Sequence, residues 1–201
     1  CRNEGGTFAD INAGLPASVA ASLAWADYDG DGDLDLAVGR ADGTQVFRND
    51  AGAFGAAGGS LEGASRGALA WGDYDNDGDL DLALAGSNGT QGCTRIYRNN
   101  GNGTFTDIGA GLSGLQFASL AWGDYDNDGD LDLLMAGKLA PNSFWTARIY
   151  RNNGGAFADI GAGLAGAEAG TAAWGDYDND GDLDVLLAGW TGSTSITRIY
   201  R

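Results

Sequence analysis

Asp124-Tyr-Asp-Asn-Asp-Gly-Asp-Leu-Asp132 decides how this chain folds, and it occurs in four versions. The others are Asp27-Tyr-Asp-Gly-Asp-Gly-Asp-Leu-Asp35, Asp73-Tyr-Asp-Asn-Asp-Gly-Asp-Leu-Asp81 and Asp176-Tyr-Asp-Asn-Asp-Gly-Asp-Leu-Asp184. Each sets five carboxylates at alternate positions around a glycine, a residue that lets the chain fold back at little steric cost. Such a cluster repels itself unless a cation sits within it. Hard oxygen ligands without His or Cys suit Ca²⁺ better than zinc or copper, so four Ca²⁺ sites are expected.

Outward from the loops, Trp25, Trp71, Trp122 and Trp174 recur 46, 51 and 52 residues apart, a spacing suited to propeller blades. One unit reads Ser119-Leu-Ala-Trp-Gly-Asp, the acidic loop, Leu131-Asp-Leu-Leu-Met-Ala-Gly137, a variable loop, Ala147-Arg-Ile-Tyr-Arg151, Asn152-Asn-Gly-Gly155 and Phe157-Ala-Asp-Ile160. Four short strand patterns are separated by turn signals, and none has a helical period. The second strand is apolar on both faces (Leu131, Leu133 and Met135 against Leu134 and Ala136) and needs cover on both sides. The third alternates, with Ile149 and Arg151 opposite Arg148 and Tyr150, as at a partly wet edge. The expected fold is an all-β propeller of four-stranded antiparallel blades, with the four repeat tryptophans in the core.

The ends suggest how the blades close. Residues 7–10 match a fourth strand and residues 197–201 a third strand, so residues 1–201 are expected to form one four-bladed domain whose last blade is completed by the N-terminal strand. Two alternatives remain open: a slice of a longer array, and half of a larger, eight-bladed ring.

The net charge of −17 has a local origin, because 20 of the 28 acidic residues lie in the loops. Four divalent ions would leave about −9. One lysine (Lys138) and ten scattered arginines form no basic stripe, which argues against nucleic-acid binding. No stretch is long enough for a transmembrane helix, so no membrane insertion is expected. Cys1 occupies the repeat position of Phe47, Tyr97, Tyr150 and Tyr200, and lipidation after signal cleavage is the alternative. Cys93 is placed in a loop, with pairing to Cys1 or to another chain left open.

Trp-Gly-Asp-Tyr-Asp-Asn-Asp-Gly-Asp-Leu-Asp followed by Arg-Ile-Tyr-Arg-Asn-Asn-Gly resembles the FG-GAP/VCBS repeats of integrin-type β-propellers along nearly the whole chain. The resemblance implies Ca²⁺ in the hairpin between the first two strands of each blade. Members usually have seven or eight blades, and four repeats depart from that pattern. By position, the first, third, fifth and ninth residues offer side-chain oxygens: Asp27, Asp29, Asp31, Asp35; Asp73, Asp75, Asp77, Asp81; Asp124, Asp126, Asp128, Asp132; and Asp176, Asp178, Asp180, Asp184. Asp33, Asp79, Asp130 and Asp182 would coordinate through their carbonyls, with side chains outward. An EF-hand needs Glu three residues past the ninth position, where Val38, Leu84, Met135 and Leu187 stand instead.

The face opposite the acidic loops carries the variable connections: 138–145, 190–195, 87–92 and 113–117. There Phe144, Trp145 and Trp190 break the repeat and are candidate ligand-stacking residues, or else fillers between blades. Asn88 and Asn102 stand in glycosylation patterns that are also ordinary Asn-Gly turns. The chain has no histidine, which excludes Ser-His-Asp and Cys-His catalysis. The expectation is an extracellular or cell-surface recognition and adhesion module, not an enzyme, whose partner is a glycan or an extracellular protein. The alternatives are a repeat segment that assembles with its own copies as a homo-oligomer, and a polysaccharide lyase.

Overall fold

Alternating apolar residues and frequent Asn-Gly turns produce a run of antiparallel meanders. The computed structural model describes residues 2–139 and 144–201, with side chains from residue 5 onward. Every regular element among them is a strand, and no helix is long and apolar enough to cross a membrane. A hairpin of β1 (Arg2–Glu4) and β2 (Thr7–Ala9) comes first. The first blade is β3 (Ser22–Ala26), β4 (Asp35–Arg40), β5 (Gly43–Asp50) and β6 (Ala53–Leu61), paired in chain order. The second contains β7 (Ser65–Gly72), β8 (Asp81–Ser87), β9 (Gly92–Asn99) and β10 (Phe105–Asp107). The third contains β11 (Leu115–Gly123), β12 (Asp132–Leu139), β13 (Phe144–Asn152) and β14 (Phe157–Asp159). Blades two and three touch along one strand pair, Leu115 opposite Cys93. The fourth has three strands, β15 (Glu168–Gly175), β16 (Asp184–Trp190) and β17 (Ser195–Tyr200).

The N-terminal strand therefore does not complete the last blade. Thr7–Ala9 pairs with Arg2–Glu4, its own chain neighbour, and among the described residues β17 pairs only with β16. The short connection through Gly5 and Gly6, both at positive φ, makes the local hairpin the available partner.

The core lies between blades, as a doubly apolar second strand requires. Leu133 and Met135 pack with Ala83, Ala85 and Ile96 of the second blade. Leu134 and Ala136, on the other face of β12, pack with Val185 and Leu187 of the fourth. The third strand is buried on both faces too, since Ile149 joins the second of these clusters and Tyr150 the first. The wet edge expected there lies further out.

Three of the four repeat tryptophans lock neighbouring blades. The indole N–H of Trp71 donates to Ala24 O at 3.5 Å, that of Trp122 to Ala70 O at 3.2 Å and that of Trp174 to Ala121 O at 3.2 Å. Each ring also lies nearly parallel to the loop tyrosine of the preceding blade: Tyr28 on Trp71, Tyr74 on Trp122, Tyr125 on Trp174. Trp25 departs from its expected core position. It is 56% exposed, because no blade precedes it in the structure.

Cys93 lies in β9, not in a loop, because the strand extends back to Gly92. Its buried thiol donates to Gly63 O at 2.8 Å and forms no disulfide; Cys1 lies outside the described residues. Burial pushes the thiol up to about 11.

Leu134 and Leu186 hold the same repeat position, yet Leu134 is 0% exposed and Leu186 is 41% exposed. In dilute solution, Leu134→Ala is expected to cost about 2–5 kcal/mol, as for a buried leucine. Leu186→Ala should cost less than about 1 kcal/mol, as at a surface position. Urea unfolding of the two variants measures the difference; equal losses would contradict the packing described.

Candidate metal centres and the variable face

Each acidic loop joins the first two strands of a blade, and its own carboxylates tie its backbone. The glycine at the sixth position adopts φ near +93° (Gly32, Gly78, Gly129, Gly181), a region costly for other residues. In the second loop the first carboxylate, Asp73, accepts N–H bonds from Asp77 and Gly78 at 3.1 and 3.0 Å; Asp124 and Asp176 repeat the pattern. The ninth carboxylate binds the loop to the third strand. Asp81 takes the N–H of Tyr74 at 3.1 Å and of Asn99 at 2.8 Å, and Asp35 and Asp132 do the same.

These bonds converge the carboxylates. Ligand oxygens of Asp27, Asp29 and Asp35 lie within 4.8 Å of one another. So do those of Asp73, Asp75 and Asp81, of Asp124, Asp126 and Asp132, and of Asp176, Asp178 and Asp180. Inside three of the clusters one buried oxygen has no hydrogen-bond partner: Asp27 Oδ1, Asp75 Oδ1 and Asp126 Oδ1. A buried carboxylate oxygen without a partner is costly, and a cation is the partner that several such oxygens share. The clusters fit a metal ion with oxygen ligands.

The seventh carboxylates stand outside these clusters and make other contacts. Asp130 and Asp182 accept the side-chain amides of Asn76 and Asn127 at 2.9 and 3.0 Å, each from the preceding blade, and Asp33 accepts the Ala51 N–H at 2.8 Å. Asp79 donates its N–H to Asp77 at 3.0 Å. Strand periodicity did not reveal the arginines at the end of the third strands. Arg48 pairs with Asp29 and Asp31, and Arg151 with Asp126 and Asp128, all at 3.1 Å. Arg201 reaches Asp178 at 3.1 Å and Asp180 at 2.7 Å. The signal was present in the repeated Arg of Arg-Ile-Tyr-Arg, but alternation reports the face of a side chain, not its reach.

The electrostatics reflect burial. Desolvation raises Asp35, Asp75 and Asp132 above the usual carboxylate range and pushes Asp81 up to about 7. Exposed Asp128 and Asp180 go the other way, lowered first by the backbone N–H bonds of Asp130 and Asp182 and further by Arg151 and Arg201.

On the opposite face the candidate aromatics divide. Trp190 closes β16 beside the turn of Thr191, Ser193 and Thr194 and is 41% exposed. Phe144 is exposed at the start of β13. Trp145 is partly buried. A Cβ built on Gly192 would strike its ring, so it packs against the fourth-blade turn, and its indole nitrogen is buried without a partner. Residues 140–143 of the same connection lie outside the described residues. Arg66 and Phe117 stand at bulges in β7 and β11 with φ of 53° and 50°, and the guanidinium sits 6.0 Å over the phenyl ring. The Asn88 amide donates to Glu62 at 2.7 Å, which occupies the nitrogen that glycosylation would modify. Asn102 is exposed, with its oxygen held by Thr104.

Stacked antiparallel blades with an acidic hairpin in each define a β-propeller-type repeat protein. The chain belongs to the FG-GAP-like repeat family, which matches residues 27–84, 73–135 and 139–187. No curated protein matches it. Among solved structures, it is similar to an Agrocybe aegerita lectin described as specifically recognising non-reducing terminal N-acetylglucosamine. Identity is 21% and the TM-score 0.51, over 89% of this chain and 51% of the lectin. The chain thus spans about half the length of that lectin.

Metal removal and pH are linked. Without metal, the raised aspartates hold protons in the folded chain above their unfolded value of 3.8. The folded state then binds more protons than the unfolded one, so metal-free stability should fall as pH rises from about 4 to about 7. With metal bound the same carboxylates are ionised, and metal-dependent stabilisation should grow across that window. Melting curves with and without EDTA between these limits test both signs. Asp75→Asn removes the charge of a half-buried carboxylate, one of whose oxygens has no hydrogen-bond partner. It should raise the melting temperature in EDTA and weaken metal binding; a lower melting temperature in EDTA would contradict this reading.

Proposed function

We infer that this chain is a Ca²⁺-stabilised recognition module of the extracellular or cell-surface space that binds glycans and is not an enzyme. The observation that carries the reading is Trp190, a large exposed aromatic beside the hydroxyls of Thr191, Ser193 and Thr194. A flat apolar ring next to hydroxyl groups suits a sugar, which presents an apolar C–H face and a polar rim. The fold shared with an N-acetylglucosamine-recognising lectin supports that ligand class. Phe144, at the start of β13, is a second exposed aromatic on the variable connections.

Ca²⁺ is the ion the loops suit best, because every ligand group is an oxygen and each loop supplies several carboxylates. Affinities of about 10⁻⁴–10⁻³ M are typical of extracellular modules. At a hundredfold excess over the dissociation constant each site adds about 2.7 kcal/mol. The ions serve as structure, since the acidic loops and the variable connections lie at opposite ends of the second strands.

A glycan array in millimolar calcium, with an EDTA control, tests the reading. Binding is expected to glycans with exposed N-acetylglucosamine, and Trp190→Ala should weaken it about tenfold or more at an unchanged melting temperature. A blank array from protein shown to be folded would overturn the glycan assignment.

A further inference from the structure

The acidic loops look interchangeable in sequence, but their surroundings differ in charge. Arg151 stands 3.1 Å from both Asp126 and Asp128, the third and fifth carboxylates of the third loop. It meets only their Oδ2 atoms and leaves Asp126 Oδ1 buried without a hydrogen-bond partner. Arg48 stands in the same way over Asp29 and Asp31 of the first loop.

The second loop has no such counter-ion. Arg98 holds the position of Arg151, yet its guanidinium donates to Asn100 Oδ1 at 3.4 Å and, among the described residues, forms no ion pair. The cause lies in the turn that follows. Phe105 comes six positions after Asn99, whereas Phe157 comes five after Asn152. Asn100 ties this longer turn: its backbone N–H donates to Thr104 O at 3.0 Å, and its side-chain nitrogen to Thr104 Oγ1 and Thr106 Oγ1 at 2.9 and 3.1 Å. The same side chain then presents its oxygen to Arg98.

A second deficit is independent of the first. In the third loop the seventh carboxylate, Asp130, accepts the amide of Asn76 from the preceding loop at 2.9 Å. The loop before the second has Gly30 at that position and offers Asp79 no amide. Among the described residues the side chains of Asp75 and Asp79 accept no hydrogen bond, and those of Asp73, Asp77 and Asp81 accept backbone N–H groups alone. Both loops lie between two described blades, so the contrast is set by their own residues and not by the ends of the chain.

We propose that the second loop is the tightest Ca²⁺ site of this pair, and that the charge of Arg151 holds down the affinity of the third. The inference rests on the reading that Ca²⁺ fills the loops. Calcium loops set their affinity through ligand charge and rigidity. A fixed positive charge about 6 Å from a divalent cation opposes it by a factor of about ten, even at the dielectric constant of water. Without the ion, the same arginine offsets repulsion among the carboxylates it touches. The third loop thus keeps its shape on chelation, and the second is the one that depends on the metal.

Gly78 and Gly129 donate their N–H groups to the first carboxylates of their own loops at 3.0 and 2.9 Å, so each amide reports on one site. A calcium titration of ¹⁵N-labelled protein, followed by NMR at these two amides, gives separate midpoints. Gly78 is expected to reach its midpoint at about tenfold lower free calcium than Gly129. Arg151→Gln should lower the Gly129 midpoint about tenfold, and Arg151→Lys, which keeps the charge, should leave it in place. Arg98→Gln should change neither midpoint by more than about twofold. Circular dichroism melting confirms folding, and the wild-type comparison stands without any variant. Equal midpoints, or a Gly129 that responds first, overturn the proposal while leaving calcium in the loops. A weaker third site in Arg151→Gln overturns it too, because the arginine would then organise the site instead of opposing the ion. Two amides that ignore millimolar calcium would remove the calcium reading and this inference with it.

Discussion

A strand that is apolar on both faces has to be covered twice, and this requirement organises the whole molecule. Leu133 and Met135 are covered by the second blade, Leu134 and Ala136 by the fourth. Three of the four core clusters among the described residues span two blades, so the stability of each blade depends on its neighbours. The Trp–Tyr pair turns this general need for cover into one register. Stacking sets the separation of the blades, and the indole N–H bond sets their offset.

The acidic loop takes part in both the carboxylate cluster and the blade junction. Its second residue is the tyrosine that fills the next blade's cleft, and in the second and third loops its fourth residue reaches the next loop. Its ninth residue fastens the third strand, whose final asparagine reaches the preceding tyrosine carbonyl. A cation that draws the carboxylates together therefore also positions the groups that bind adjacent blades. The arginines at the strand ends supply part of the countercharge within the protein itself. Beside these pairs, buried oxygens of Asp27, Asp75 and Asp126 have no hydrogen-bond partner.

The blade pattern and the carboxylate clusters were legible because both rest on local periodicity: an Asp ladder around glycine, and two-residue alternation beside a recurring tryptophan. Contacts made far along the chain were not. Trp25 reads the same as Trp122 in sequence, yet its exposure depends on whether another blade lies before it. Thr7–Ala9 matches a fourth strand, but a tight glycine turn gives it a nearer partner in Arg2–Glu4. Cys93 reads as a loop residue in sequence because the length of a variable connection does not show how far the flanking strands run. Trp145 and Trp190 looked alike as departures from the repeat, and only packing against Gly192 separates a filler from an exposed platform.

Exchange of the indole N–H protons with solvent, followed by NMR in calcium and after chelation, tests the coupling of loop to junction most directly. The account predicts slow exchange at Trp71, Trp122 and Trp174 in calcium, marked acceleration of all three on chelation, and fast exchange at Trp25 in dilute protein under both conditions. Junction indoles that stay equally protected after complete metal removal would contradict it, because the blades would then hold their register without the loops.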